Sequence, residues 1–268
     1  GAMNFTDVYT AAATVSDKLP TVVKVNEDDM IGAGAKNALS GLDFDAKWAA
    51  TTGYPTLQIF NAMDPSEYWN GTEVAPSKGT GTSGDPIIIS TPEELAYVVK
   101  NGMSGKHYKL EKDIYLNDIT KIDWATGTAK TGYTPNAWYT SASGGALDGT
   151  FDGNGHKVYG LYSNTPGNYA WSQSGAGLFP KVAGEKSLTV SKLGVDYAYV
   201  RHPNGAAAFT AIIGEGGIVN YDQCYAGANV TLDGNNAGVF YAVGDKSWNL
   251  TNSYSLATLI SVGAKGLI

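Results

Sequence analysis

A repeat of about 29 residues in the C-terminal part constrains this chain more than any other feature. Leu193-Gly194-Val195-Asp196-Tyr197, Asp222-Gln223-Cys224-Tyr225 and Thr251-Asn252-Ser253-Tyr254 line up, with tyrosines 28 and 29 residues apart. A second series is interleaved: Phe179, Phe209, Phe240 and Ile268, each preceded by small residues, at spacings of 30, 31 and 28. Two interleaved series sharing one period indicate a repeated supersecondary unit that needs its neighbours to bury its apolar face. Apolar residues alternate with polar ones and Gly, Asn and Asp punctuate them, which excludes a helical repeat. The expected fold is all-β, with each repeat forming one coil of a parallel β-helix.

Ahead of the coils a short N-terminal capping helix is expected. Thr91 is the cap, Pro92 suits the first helical position, and Glu94 is placed to reach back to the cap's own N–H. Leu95, Val98 and Val99 give the apolar face, Asn101-Gly102 the stop, and Tyr108 to Tyr115 a following strand.

Composition narrows the function. Charged residues are 16% of the chain, against roughly 25% in an average soluble protein. Gly numbers 34, Tyr 17 and Trp 6, and the formal net charge is −7. An acidic chain poor in lysine has no electrostatic footprint for nucleic acid. The longest apolar run, near Ala206 to Ile213, is far short of the roughly 20 residues that span a bilayer, so no membrane insertion is expected. Cys224 is the sole cysteine, which excludes an intrachain disulfide and a paired-cysteine zinc site. Gly1-Ala2-Met3 looks like an expression remnant and is left out of the fold argument.

The stretch Gly84-Asp85-Pro86-Ile87-Ile88-Ile89-Ser90-Thr91-Pro92-Glu93-Glu94-Leu95 is followed by Tyr108-Lys109-Leu110-Glu111-Lys112-Asp113-Ile114. Next come Gly149-Thr150-Phe151-Asp152-Gly153-Asn154-Gly155-His156-Lys157-Val158 and Gly160-Leu161-Tyr162, and then the coil from Asn220 to Val230. This order resembles the bacterial GLUG-motif proteins. The resemblance covers about residues 80 to 268 and implies a pectate-lyase-like right-handed parallel β-helix in a secreted or cell-wall-attached protein. Phe5-Thr6-Asp7-Val8-Tyr9-Thr10 matches Leu250-Thr251-Asn252-Ser253-Tyr254-Ser255, and Gly41 to Leu57, with Trp48 and Tyr54, resembles the family's closing segment. Residues 4–62 are therefore expected as closing coils, 63–83 as linker, and 84–268 as capping helix and opening coils. Residues 4 to 60 are expected to stack on the coils of 220–268 in one continuous body, the alternative being two lobes with separate cores, within a longer multidomain chain.

Chemistry-bearing residues are sparse. His107, His156 and His202 stand at no catalytic or metal-ligand spacing. His107 and His202 are expected in solvated turns. Asp152-Gly153-Asn154-Gly155 fits a tight turn better than a calcium loop, which would need a closing Glu, or a carboxylate pair for glycoside hydrolysis. Cys224 reads as a buried structural thiol. No catalytic residue, metal or cofactor is expected.

Aromatics in polar stretches are the positive signal. Tyr133, Trp138 and Tyr139 lie in a Gly/Thr/Ser-rich segment, Tyr169 and Trp171 among Asn, Pro, Gly and Ser, and Tyr68 and Trp69 in the expected linker. Flat rings beside amide side chains suit the C–H faces of sugars. The expectation is a non-catalytic module that binds a polysaccharide or surface glycan through these seven residues, an α-glucan such as starch among the options, with Trp138 and Trp171 exposed. The alternatives are a structural spacer or adhesin repeat, whose loops fold back over the coils, and a polysaccharide-degrading enzyme.

Overall fold

The computed structural model describes residues 8–10, 22–24, 26–30, 35–40, 42, 48–49, 56–57, 65–168, 173–244, 247–261 and 265–266. The chain divides into two compact units, Gly1–Met63 and Asp64–Ile268. In the first, Val8–Thr10 pairs in parallel with Val22–Lys24, and Trp48–Ala49 pairs antiparallel with Thr56–Leu57. A 3-10 turn at Glu27–Met30 and a helical turn at Ala35–Ala38 lie between these pairs. Phe5 to Asp7, expected to match the 250–252 segment, and Tyr54 lie outside the described residues.

Among its described residues the second unit is all-β apart from one helix and a 3-10 turn, and parallel sheets dominate it. The first sheet contains Ile87–Ile89, His107–Leu110, Gly149–Asp152, Ser187–Ser191, Ile218–Asp222 and Trp248–Thr251. The second contains Ile114–Tyr115, Lys157–Tyr159, Gly194–Asp196, Tyr225–Ala226 and Tyr254–Ser255. The third is built on Tyr162–Asn164, Ala198–Ala207, Val230–Gly238 and Thr258–Ser261, and the fourth on Ala146–Leu147, Phe179–Val182, Thr210–Ile213 and Tyr241–Gly244. The three repeats between Gly149 and Gly244 each visit the four sheets in the same order, while the first repeat has the Ile122–Asp123 and Thr128–Ala129 hairpin in place of a third-sheet strand. Strands therefore lie beside their counterparts from the next repeat: Val190 sits opposite Tyr221, and Tyr221 opposite Leu250.

Alternation sorts the side chains. On the first sheet Leu188, Val190, Val219 and Tyr221 face the core. Thr189, Asn220 and Asn249 make an outer row, in which Asn249 Nδ2 donates to Asn220 Oδ1 at 2.7 Å and Asn220 Nδ2 to Thr189 Oγ1 at 3.3 Å. Phe209 and Phe240 stack inside with centroids 5.1 Å apart. The tyrosine series is in register only in part, because Tyr225 lies opposite Tyr254 but its partner on the other side is Gly194, not Tyr197.

The helix is Pro92–Asn101, and Leu95, Val98 and Val99 are buried on the core. Thr91 Oγ1 accepts from Glu94 N at 3.2 Å as expected, but the Glu94 carboxylate accepts from Ser90 N at 2.7 Å, one residue earlier than the capping pattern implies. Gly102 ends the helix at φ 84°. The expected single strand from Tyr108 to Tyr115 is two, His107–Leu110 and Ile114–Tyr115, because the chain turns a corner at Glu111 to Asp113 and enters the second sheet.

The 63–83 stretch is not a detached linker. Trp69 is 4% exposed in the main core, and Tyr68 bridges to Tyr115. His107 and His202 are also not in solvated turns. Both lie in strands: His107 Nδ1 is 2.6 Å from Thr150 Oγ1, and His202 is buried, which lowers its pKa. No helix of the described residues is long and apolar enough to cross a membrane.

Candidate functional site

Between the first and second sheets the later repeats turn on two residues. The first of each pair is left-handed: Lys192 at φ 50°, Gln223 at 55° and Asn252 at 49°. This conformation redirects the strand so sharply that the second residue points inward, burying Leu193 and Cys224. The left-handed residues themselves are exposed. Asn154, at φ 55°, holds the same corner in the longer Asp152 to Gly155 turn, where its N–H donates to Asp152 Oδ1 at 2.8 Å. Neighbouring strands are about 4.8 Å apart, so the corner residues of successive repeats follow one another at about that spacing. Asn154, Gly155, Lys192 and Gln223 line a cleft of about 370 Å³ together with Tyr225.

Tyr225 belongs to an outer row on the second sheet that reads Lys157, Gly194, Tyr225, Tyr254 across four repeats. Gly194 is what makes the row work. A Cβ there would stand 2.6 Å from Tyr225 Cζ, so the phenol lies over a position without a side chain. The Lys157 ammonium sits 5.6 Å from the Tyr159 ring centre and 6.0 Å from that of Tyr225. Burial alone would lower its pKa, but the Tyr159 and Tyr225 hydroxyls outweigh that and hold it above the ordinary lysine value. On the other side Tyr254 stacks on Tyr225 at 5.2 Å with planes 8° apart, and it is 53% exposed.

Asp222 borders the corner. Thr251 Oγ1, Asn252 Nδ2 and Gln223 Nε2 donate to its oxygens at 2.7, 2.9 and 3.0 Å, and these bonds lower its pKa. Neither Lys157 nor Lys192 forms an ion pair with a described carboxylate. The site thus offers a flat apolar face, amides and two ammonium groups. No group of three or more metal-ligating side chains exists among the described residues. No family model, curated protein or solved structure matches the chain.

The loop aromatics are arranged differently from the sequence expectation. Trp138, 3% exposed, donates from Nε1 to the Leu178 carbonyl at 2.9 Å and meets Trp69 edge-on at 5.0 Å. Trp69 donates from Nε1 to the Thr72 carbonyl at 2.7 Å, and the Tyr139 hydroxyl to Glu73 Oε1 at 2.6 Å. These three rings belong to the main core, so the expected exposure of Trp138 is overturned. Tyr133 is half-buried beside a second cluster made by Ile119, Ile122, Trp124, Tyr159 and Tyr199. Its hydroxyl accepts from Asp118 N at 3.0 Å and donates to Asn117 Oδ1 at 3.2 Å, stapling the 117–136 excursion. Tyr68 is half-buried at its bridge. Tyr169 and Trp171 lie outside the described residues.

Lys157, Lys192 and Gln223 match no catalytic or binding motif in the sequence, and Tyr225 and Tyr254 stand at repeat positions that the sequence alone assigns to structure rather than to a surface site. The available signal was the corner position itself: Lys192, Gln223 and Asn252 all precede an inward residue in the aligned repeats. A larger cleft of about 500 Å³, lined by Gln173, Ile212, Ile213, Gly214, Glu215 and Gly244, has no aromatic ring among its described lining residues.

Proposed function

We propose that the second unit is a right-handed parallel β-helix of the GLUG-motif kind, acting as a non-catalytic polysaccharide-binding module of a secreted or cell-surface bacterial protein. The fixed order in which the chain visits four parallel sheets supports the coil, and the strong preference for right-handed crossovers supports its hand. One observation carries the binding reading. The Tyr254 ring, stacked on Tyr225 and half exposed, stands beside a cleft lined by two amides and an ammonium group. A sugar's C–H face packs on such a ring while its hydroxyls bond the amides.

The test is affinity electrophoresis and calorimetry with soluble polysaccharides. Tyr254→Ala weakens binding by about 1–3 kcal/mol, the range for an aromatic anchor, with little change in melting because the ring is half in solvent. Retained affinity in both Tyr254→Ala and Tyr225→Ala refutes the site. Release of reducing ends from the bound polysaccharide refutes the non-catalytic assignment. The burial of Trp69, Trp138 and Tyr139 favours a second reading, a structural or adhesin module without glycan affinity.

A further inference from the structure

We propose that the corner cleft takes an acidic, extended polysaccharide whose chain runs along the direction in which the repeats stack. This rests on the glycan-binding reading and names the class of glycan.

The corner fixes direction. Asn154, Lys192 and Gln223 come from three successive repeats, hold the same left-handed corner and line one cleft, with Asn154 Nδ2 also donating to the Leu110 carbonyl of the preceding repeat at 3.2 Å. The step of about 4.8 Å is the strand spacing, close to the length of one pyranose unit in an extended chain. Such a row favours a straight ligand, and a coiled α-glucan would leave it after one or two sugars. Tyr254, one repeat beyond Gln223, gives the next unit its stacking face.

The charges fix the class. The chain carries −7 overall, yet both ammonium groups at this site lack a carboxylate partner within ion-pair distance among the described residues. Lys192 is exposed in the cleft, and Lys157 is held between two phenols with its charge intact. Asp222 faces the same corner and its carboxylate feels the Lys192 charge without pairing with it, because Thr251, Asn252 and Gln223 already donate to its oxygens. An arriving sugar carboxylate would meet the Lys192 ammonium, which forms no ion pair among the described residues. The distant net charge is screened beyond about 8 Å at physiological salt, so the balance is local, between the Lys157 and Lys192 ammonium groups and the Asp222 and Asp152 carboxylates beside them.

The experiment is calorimetry with the full chain, alginate, carboxyl-reduced alginate and amylose, at low and physiological salt. Alginate is expected to bind at least ten-fold more tightly than its carboxyl-reduced form or amylose, and to weaken as salt rises. Lys192→Gln is expected to remove most of that difference without moving the melting temperature, because Gln223 already occupies the same left-handed corner one repeat later. Equal affinity for alginate and its reduced form, or an unchanged preference in Lys192→Gln, overturns the acidic class. If Tyr254→Ala still weakens binding in that event, the glycan reading survives. Binding of none of the three, with no effect of Tyr254→Ala, overturns both.

Discussion

Replacing Trp138 with Ala separates a core tryptophan from a sugar platform. The ring is 3% exposed, lies 5.0 Å from Trp69 and 5.1 Å from Tyr139, and its Nε1–H is bonded to the Leu178 carbonyl. Removing a buried Trp or Phe side chain costs about 3–5 kcal/mol. A buried carbonyl left without its donor costs about 1–3 kcal/mol more in isolation, but this overlaps the first figure because both count desolvation at one site. The expected loss is therefore about 4 kcal/mol, near the middle of the range for a truncated core aromatic. For a unit of this length 1 kcal/mol moves the melting midpoint by roughly 2–4 °C, so the midpoint falls by roughly 8–16 °C. Trp138→Phe keeps an aromatic ring, loses the N–H, and costs about 1–2 kcal/mol. Differential scanning calorimetry reads both variants, and calorimetric titration below the lower midpoint reads glycan affinity. A drop of less than about 1 kcal/mol in stability for Trp138→Ala, the size of an ordinary surface change, accompanied by lost glycan affinity, would refute the reasoning.

Gly194→Ala places a Cβ against Tyr225 and should lift that ring off the sheet; glycan affinity falls with it, and unaltered affinity would show that Tyr225 need not lie flat. Burial pushes the Cys224 thiol up to about 12, so a thiol reagent at pH 8 should label it only as fast as the unit opens, and immediate labelling of the native protein contradicts its placement. Hydrogen bonds hold the Glu111 carboxyl, bonded to Ser90 and Lys78, and the Asp222 carboxyl below their ordinary values of 4.5 and 3.8. A depressed carboxyl contributes stability that is complete above its ordinary value and lost as the pH falls through the lowered one. Asp222→Asn should therefore flatten the fall in melting temperature below about pH 4, and an acid limb identical to the parent's would remove Asp222 from that account.

The period was legible because it is a sum over local features. Each corner needs a left-handed residue, each strand an alternation, and the cost of breaking either recurs in every repeat. The helix was legible for a similar reason, since Thr91 and Pro92 at its start and Gly102 at its end are punctuation read from their immediate neighbours. The register was less so. Tyr197 and Tyr225 align by eye, yet Gly194 is the residue opposite Tyr225, and a Gly that makes room for a ring leaves no trace except its neighbour's packing.

Aromatics in a polar loop can either meet solvent and ligand or fold back onto the body, and the composition of the loop does not decide between them. The deciding quantity is the apolar area left open at the first repeat, which no local window contains. A stack of parallel strands has an end face, here bounded by Ile87–Ile89 at the edge of the first sheet and Ile114–Tyr115 at the edge of the second. The helix covers part of that face through Leu95, Val98 and Val99; Trp69 and Trp138 join the same core from segments on either side of the helix in the chain. At about 25 cal/mol per Å² of apolar surface and 150–250 Å² per large aromatic, each ring contributes several kcal/mol there. A sugar contact in the loop would recover less. Large aromatics flanking the opening of a repeat array are therefore better read as its lid. Aromatics that recur at one position in successive repeats, such as Tyr225 and Tyr254, already lie outside a filled core, and so they are left available for a ligand.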